Sequence, residues 1–216
     1  MLVLLLVLPA ALGAGAVTYY QYRQHEAAAA RLHAAVAWHN NAVAAEQAAA
    51  ARLSDSVSRL RAAHVKLDSA INAVVTGSQQ CLTVTCFDTT AVNAANASET
   101  FLRTFRGISF PPGVSPAVQK FEKDAVANAQ AWLSMSHAVS FTDFEDRAAR
   151  AEKSGRAFDH DYPALGKALD QVEASIRDKV AALNREADAL RRRGEALNVP
   201  VHLLTPSVPT EGPSLA

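Results

Sequence analysis

Aromatic residues make up only 6% of this 216-residue chain, although half of its residues are hydrophobic. The difference is alanine, in runs such as EAAAARLHAAVAWHNNAVAAEQAAAARL. Alanine has the highest intrinsic helix propensity. Gly and Pro are sparse between residues 17 and 106, so little there would interrupt a helix. Strand-type alternation is nearly missing, with CLTVTCF as the one short candidate. The chain therefore reads as predominantly helical.

Neither sign of charge is in excess, since 21 basic residues face 21 acidic ones. No basic surplus points to nucleic acid, and no acidic tract points to a charged tail. The sequence holds no Gly-rich phosphate loop, no His-x-x-x-His pair and no G-x-S-x-G elbow. Asp159, His160 and Asp161 are consecutive. Neighbours on a helix point in different directions and do not easily share a metal, so these three read as a helix-end polar cluster. No catalytic residue, cofactor or metal site is expected, and the chain is not read as an enzyme.

Cysteine is limited to Cys81 and Cys86. A structural zinc site needs about four ligands, and neither a second pair nor a nearby histidine supplies them. A thioredoxin-like motif needs C-x-x-C beside a βαβ pattern; here the spacing and the strands are wrong. Two unrelated buried thiols are the remaining alternative to a disulfide. The short separation favours the disulfide, and disulfides persist outside the cytosol.

Positions 1 to 20 carry no charged side chain. An apolar stretch of about 20 residues is near the minimum to cross a bilayer as a helix. Tyr19, Tyr20 and Tyr22 follow it, as in an interfacial aromatic belt. Residues 1–22 are thus expected to form a transmembrane signal anchor, with cleavage after Ala14-Gly15-Ala16 as the alternative. Basic residues follow the segment rather than precede it, which alone would place the bulk of the chain in the cytoplasm. The cysteine pair argues the other way, and the expectation follows the cysteines: a single-pass cell-membrane protein with an extracytoplasmic body. Asn96-Ala97-Ser98 has the form of a glycosylation sequon, but within a helical pattern.

A heptad seam then runs for about six repeats. Its apolar members include Leu32, Val36, Val43, Leu53, Val57, Leu60, Leu67 and Ile71. His39, Glu46 and His64 fall on the same line, and polar groups there are expected to be paired or at the edge of the buried stripe. A second long amphipathic pattern covers 163–199, with Pro163 placed as a first-turn residue. Antiparallel packing within one chain is favoured over a parallel dimeric coiled coil, for which Val at a and Leu at d would also suit.

Between the two lie shorter helical patterns over 89–160, joined to the first by a disulfide corner at 79–88. Thr142-Asp143-Phe144-Glu145 has the form of a capping box. Phe101, Phe105, Phe121 and Trp132 are expected in a compact core, with a possible role in lining a pocket. Residues 200–216 read as a flexible Pro-rich tail. The expected fold is all-α: a membrane-anchored bundle, residues 23–199, of two long antiparallel helices and three shorter ones. The expected function is non-enzymatic binding of another envelope protein or of a second copy; the alternative is a ligand-sensing or solute-binding helical domain.

Overall fold

The computed structural model describes the backbone of residues 4–206 and side chains from Tyr19 to Pro206. Among these residues all regular structure is helical. The elements are α1 (Leu4–Ser78), α2 (Val84–Arg106), a 3-10 turn (Pro112–Val114), α3 (Ser115–Met135) and α4 (Phe141–Leu197). Most of the anchor expected at residues 1–22 lies outside the described side chains. Among the described residues no helix is long and apolar enough to cross a membrane.

The contacts divide the chain into two compact units. Among the described residues, one takes in α1 as far as Gln47 together with the chain from Arg177 to Pro206; the other runs from Ala48 to Ile176.

In the first unit the seam residues Leu32 and Val43 are buried, and Val36 is half-buried. Val180, Leu183, Ala187 and Leu190 of α4 are buried in the same unit. Both polar seam residues have partners. Glu46 Oε1 lies 3.1 Å from Lys179 Nζ, and His39 Nδ1 lies 3.5 Å from Glu186 Oε2. His39 is fully buried, and neither ring nitrogen makes a hydrogen bond. A buried polar group without a hydrogen bond costs about 1 to 3 kcal/mol. Glu186 is partly exposed and can turn to water. We therefore expect His39→Leu to stabilise the protein by about 1 kcal/mol, read as a rise in the urea midpoint; a fall would show that the imidazole contributes to stability.

The second unit contains Leu53, Val57, Leu60 and Leu67 of the seam as buried residues, with Ile71 half-buried. Its centre is aromatic. Phe121 is fully buried, with ring centroids 4.8 Å from Phe158, 5.2 Å from Phe105 and 6.0 Å from Phe101. Ser56 anchors the connection that precedes the 3-10 turn, its hydroxyl lying 2.7 Å from the Arg52 carbonyl and 2.9 Å from the Ser109 carbonyl.

Helix boundaries differ from the local patterns in three places. First, α2 starts at Val84 rather than near 89, because Thr83 caps it: its hydroxyl accepts from the Cys86 N–H at 3.3 Å. CLTVTCF is thus a corner and a first helical turn. Second, α4 is capped by Ser140, two residues upstream of the expected Thr142. Ser140 Oγ accepts from the Asp143 N–H, and Asp143 Oδ2 accepts from the Val139 N–H at 3.0 Å.

Third, Pro163 does not open a helix but lies inside α4. The expected third short helix and the long helix are therefore one element of 57 residues. The proline removes one backbone donor and crowds the turn before it, a cost of about 3 kcal/mol. Phe158, Leu165 and Leu169, all buried on either side, offset that cost, since burying each apolar side chain contributes about 1.5 to 3 kcal/mol.

Cys81 and Cys86 are bridged, with Cα atoms 5.4 Å apart. The bridge ties the turn after α1 to the first turn of α2. Closing so short a loop contributes roughly 2 kcal/mol in the chain-entropy estimate. Alkylation of unreduced native protein should add no mass at either cysteine, and alkylation after reduction should add two adducts. Two reactive thiols before reduction would refute the bridge.

Candidate functional site

A cleft of about 530 Å³ opens on the second unit between α1, α3 and α4. Its apolar surface comes from Leu67 and Ile71 of α1, Trp132 and Met135 of α3, and Phe158 of α4. Met135 belongs to a small buried cluster with Ala91 and Ala151, on which Trp132 and Phe144 pack. Alanine at 91, 148 and 151 lets the helices approach closely and leaves the larger Trp132 ring half-exposed at the wall.

Polar groups stand on the same lining: Asp68, Asn72, Asn128, Glu152, Arg156 and Asp159. Arg156 is paired with Glu152, Nη1 to Oε1 at 2.5 Å. Asp68 Oδ2 lies 2.9 Å from His64 Nδ1. The His64 ring is stacked on Tyr162 at 3.8 Å and parallel to Phe158 at 5.9 Å. Partial desolvation, reinforced by the charge of Asp68, pushes the Asp159 carboxyl above the ordinary carboxylate range. Burial likewise pushes the Tyr162 phenol up.

This arrangement suits non-covalent binding. Ser154, next in the chain to Gly155 of the lining, donates its hydroxyl to the Ala151 carbonyl at 2.8 Å, so its proton is already engaged within the helix. His64 is oriented by Asp68, but an aromatic ring covers one face of it, and its side chain is only 17% exposed. Among the described residues no group of three or more His, Cys, Asp or Glu could hold a metal ion.

Of the rings expected to line a pocket, Trp132 lies on this cleft. Phe101 edges a smaller groove, of about 420 Å³, with Ala63, Leu67 and Thr104, whereas Phe105 and Phe121 are interior. Asp68 and Asn72 stand outside the motifs visible in the sequence, and Asp159 reads there only as part of a helix-end polar cluster. They are polar residues at the border of an apolar stripe, a pattern shared by most solvated helix faces.

A second polar cluster ties α3 to α4 outside the cleft. Lys120 is paired with Asp161, which is buried, and its Nζ also lies 3.5 Å from Asp124. His160 Nδ1 is 3.1 Å from Asp161 Oδ1. The Lys120 ammonium, helped by hydrogen bonds to Asp124 and His160, brings the Asp161 carboxyl down to about 2. Asp124, hydrogen-bonded to that carboxylate, is shifted the opposite way. The consecutive trio Asp159, His160 and Asp161 is thus split, with one member at the cleft and two in this bridge.

A third surface is apolar. At the disulfide corner Leu82 is 91% exposed, and in the α3–α4 connection Val139 is 88% exposed. The two corners adjoin, because the Phe87 ring meets Phe141 edge-on at 5.9 Å and lies 4.8 Å from Phe144.

Residues 1–60 match the model of a glycoside hydrolase family described as beta-galactosidase. That is less than a third of the chain, and the matched stretch is helix throughout its described part. Its carboxylates are Glu26, Glu46 and Asp55. At 1.5 Å per residue the nearest two stand about 13 Å apart along the axis, whereas glycosidases use a pair roughly 5 to 9.5 Å apart. The matched stretch by itself therefore does not supply that pair. No curated protein and no solved structure matches the chain.

Proposed function

We propose that this chain is a single-pass cell-envelope membrane protein whose helical body is a non-enzymatic interaction domain. Residues 1–22 act as the anchor, the body is extracytoplasmic, and its partner is another envelope protein or a second copy. The observation that carries the interaction reading is the apolar end formed by Leu82, Val139 and Phe141, which are 91%, 88% and 51% exposed. Large exposed apolar residues from adjoining segments mark contact surfaces. Here the Cys81–Cys86 bridge holds one of those segments in shape. The bridge also supports an oxidising compartment, and the uncharged N-terminal run supports anchoring.

Antiparallel packing of the two long helices belongs to the same proposal. Its support is the order of partners in the first unit: His25 reaches the Leu197 carbonyl, His39 faces Glu186, and Glu46 meets Lys179. Partner numbers fall as the α1 numbers rise.

A photo-crosslinking residue at Leu82 in the native cell tests the interaction. We expect a discrete protein adduct that disappears in the Val139→Asp background, a change at an exposed position that leaves folding intact. No protein adduct from Leu82, with the protein present and folded, would overturn the reading.

Ligand binding is the second reading, and the cleft favours it. Its apolar wall with Asp68 and Asp159 alongside suits a hydrophobic amine. The chain has two tryptophans, so titrating a Trp38→Phe variant with such an amine would report on Trp132 alone. Unchanged emission at millimolar amine would exclude this ligand class.

A further inference from the structure

The chain beyond α4 is docked. Asn198 has a left-handed φ of 50°, and the Val199 N–H donates to the Gly194 carbonyl at 2.9 Å while the Asn198 N–H donates to the Glu195 carbonyl at 3.1 Å. These two bonds form a Schellman cap, which reverses the chain and sends it back along the first unit.

Three side-chain contacts then hold the extended segment. Asn40 Nδ2 donates to the His202 carbonyl at 3.0 Å, and the Leu204 N–H donates to Asn40 Oδ1 at 2.8 Å. One amide thus takes a carbonyl and an N–H from a single edge of the extended backbone, in the manner of a ladder partner. Gln47 Nε2 reaches the Thr205 carbonyl at 3.4 Å. Pro206 is buried, and Val201 and Leu203 are half-buried. Gly194 makes room: a Cβ there would fall 2.8 Å from the Val199 oxygen and run into the Val201 side chain. The expected flexible tail is therefore, over residues 200–206, a seated strap.

Most of this recognition is directed at backbone, and Leu204 is still 48% exposed, so few contacts oppose detachment. The connector is Val199-Pro200. A residue before proline is held extended, and short stiff hinges favour exchange of the segment they carry. A second copy offers an identical segment, so every contact made within one chain is available between two, which is the low-cost route to a dimer.

We propose that Asn40, Gln47 and Gly194 form a receptor for an extended segment, and that two copies of the chain associate by exchanging residues 200–206 into it. The proposal rests on the self-association branch of the interaction reading and names its site.

The test uses two full-length variants, Gln47→Cys and Thr205→Cys, each retaining the Cys81–Cys86 bridge. They are mixed at high concentration, incubated and mildly oxidised. We expect a covalent product joining one chain of each kind, identified by mass, with yield rising with concentration. Adding Gly194→Ala to the Gln47→Cys chain should lower that yield by roughly tenfold, the effect of about 1.4 kcal/mol on an association constant. The double variant Gln47→Cys/Thr205→Cys, dilute, should close within one chain; failure to do so would overturn the strap's placement and the proposal with it. Closure within the chain but no product between chains would overturn exchange alone. A dimer seen by native mass without the cross-link would leave the interaction reading standing and the exchange refuted.

Discussion

Phe121→Ala should cost the protein about 3 to 5 kcal/mol, the range for deleting a fully buried aromatic ring. Phe121 has no exposed surface. It lies among Phe101, Phe105, Phe158 and Tyr162, all with centroids within 6.0 Å. Truncation removes the transfer energy of the ring, the tilted and edge-on contacts with its neighbours, and leaves a void. The surrounding rings belong to α2 and α4, whose backbones fix their positions, so collapse into the void is limited. Urea denaturation followed by helical signal provides the measurement. The midpoint should fall with the slope unchanged, since the surface exposed on unfolding barely alters. A loss below about 1.5 kcal/mol would mean that Phe121 sits in a loosely packed site and not at the centre of a core.

Asp161→Ala should cost about 2 to 3 kcal/mol at pH 7, the scale of a charge-assisted hydrogen bond lost from a buried acceptor. Lys120 is 64% exposed and can rehydrate, so the larger penalty of a stranded buried charge does not arise. The effect should depend on pH in a defined direction. The folded Asp161 carboxyl titrates at about 2, below the ordinary carboxylate value of about 4. Its stabilisation is therefore fully present above about pH 4 and is lost as pH falls toward 2. Asp124 is raised instead and favours the folded state on the acid side, which blunts the loss. Stability curves of the parent and the Asp161→Ala protein should converge between about pH 4 and pH 2. Parallel curves over that interval would show that the carboxylate is not held by Lys120 in solution.

Much of the helical content is legible in the sequence. Alanine runs with almost no Gly or Pro leave a chain little choice but helix, and a three-four spacing of apolar residues decides which face of α1 is buried. Leu32, Val43, Leu53, Val57, Leu60 and Leu67 are buried because periodicity is a local property that survives any tertiary arrangement. Cys81 and Cys86 are close in sequence, so their bridging needed only a turn.

Tertiary structure decided what depends on distant residues. Local chemistry reads Pro163 as a helix start, but burial of Phe158, Leu165 and Leu169 outweighs the missing hydrogen bond and runs α4 straight through it. The same holds for the polar seam. Nothing in the spacing of His39, Glu46 and His64 says that one remains without a hydrogen bond, one meets Lys179 and one is stacked on Tyr162. Those partners lie more than 90 residues away in sequence, and only packing brings them within reach. The strap shows the limit most plainly. VHLLTP is proline-bounded and reads as a tail. Its order comes from Asn40, about 160 residues earlier, and from the missing side chain at Gly194. Sequence determines what each segment can bury and bond; which partner satisfies it is settled only when the helices have assembled.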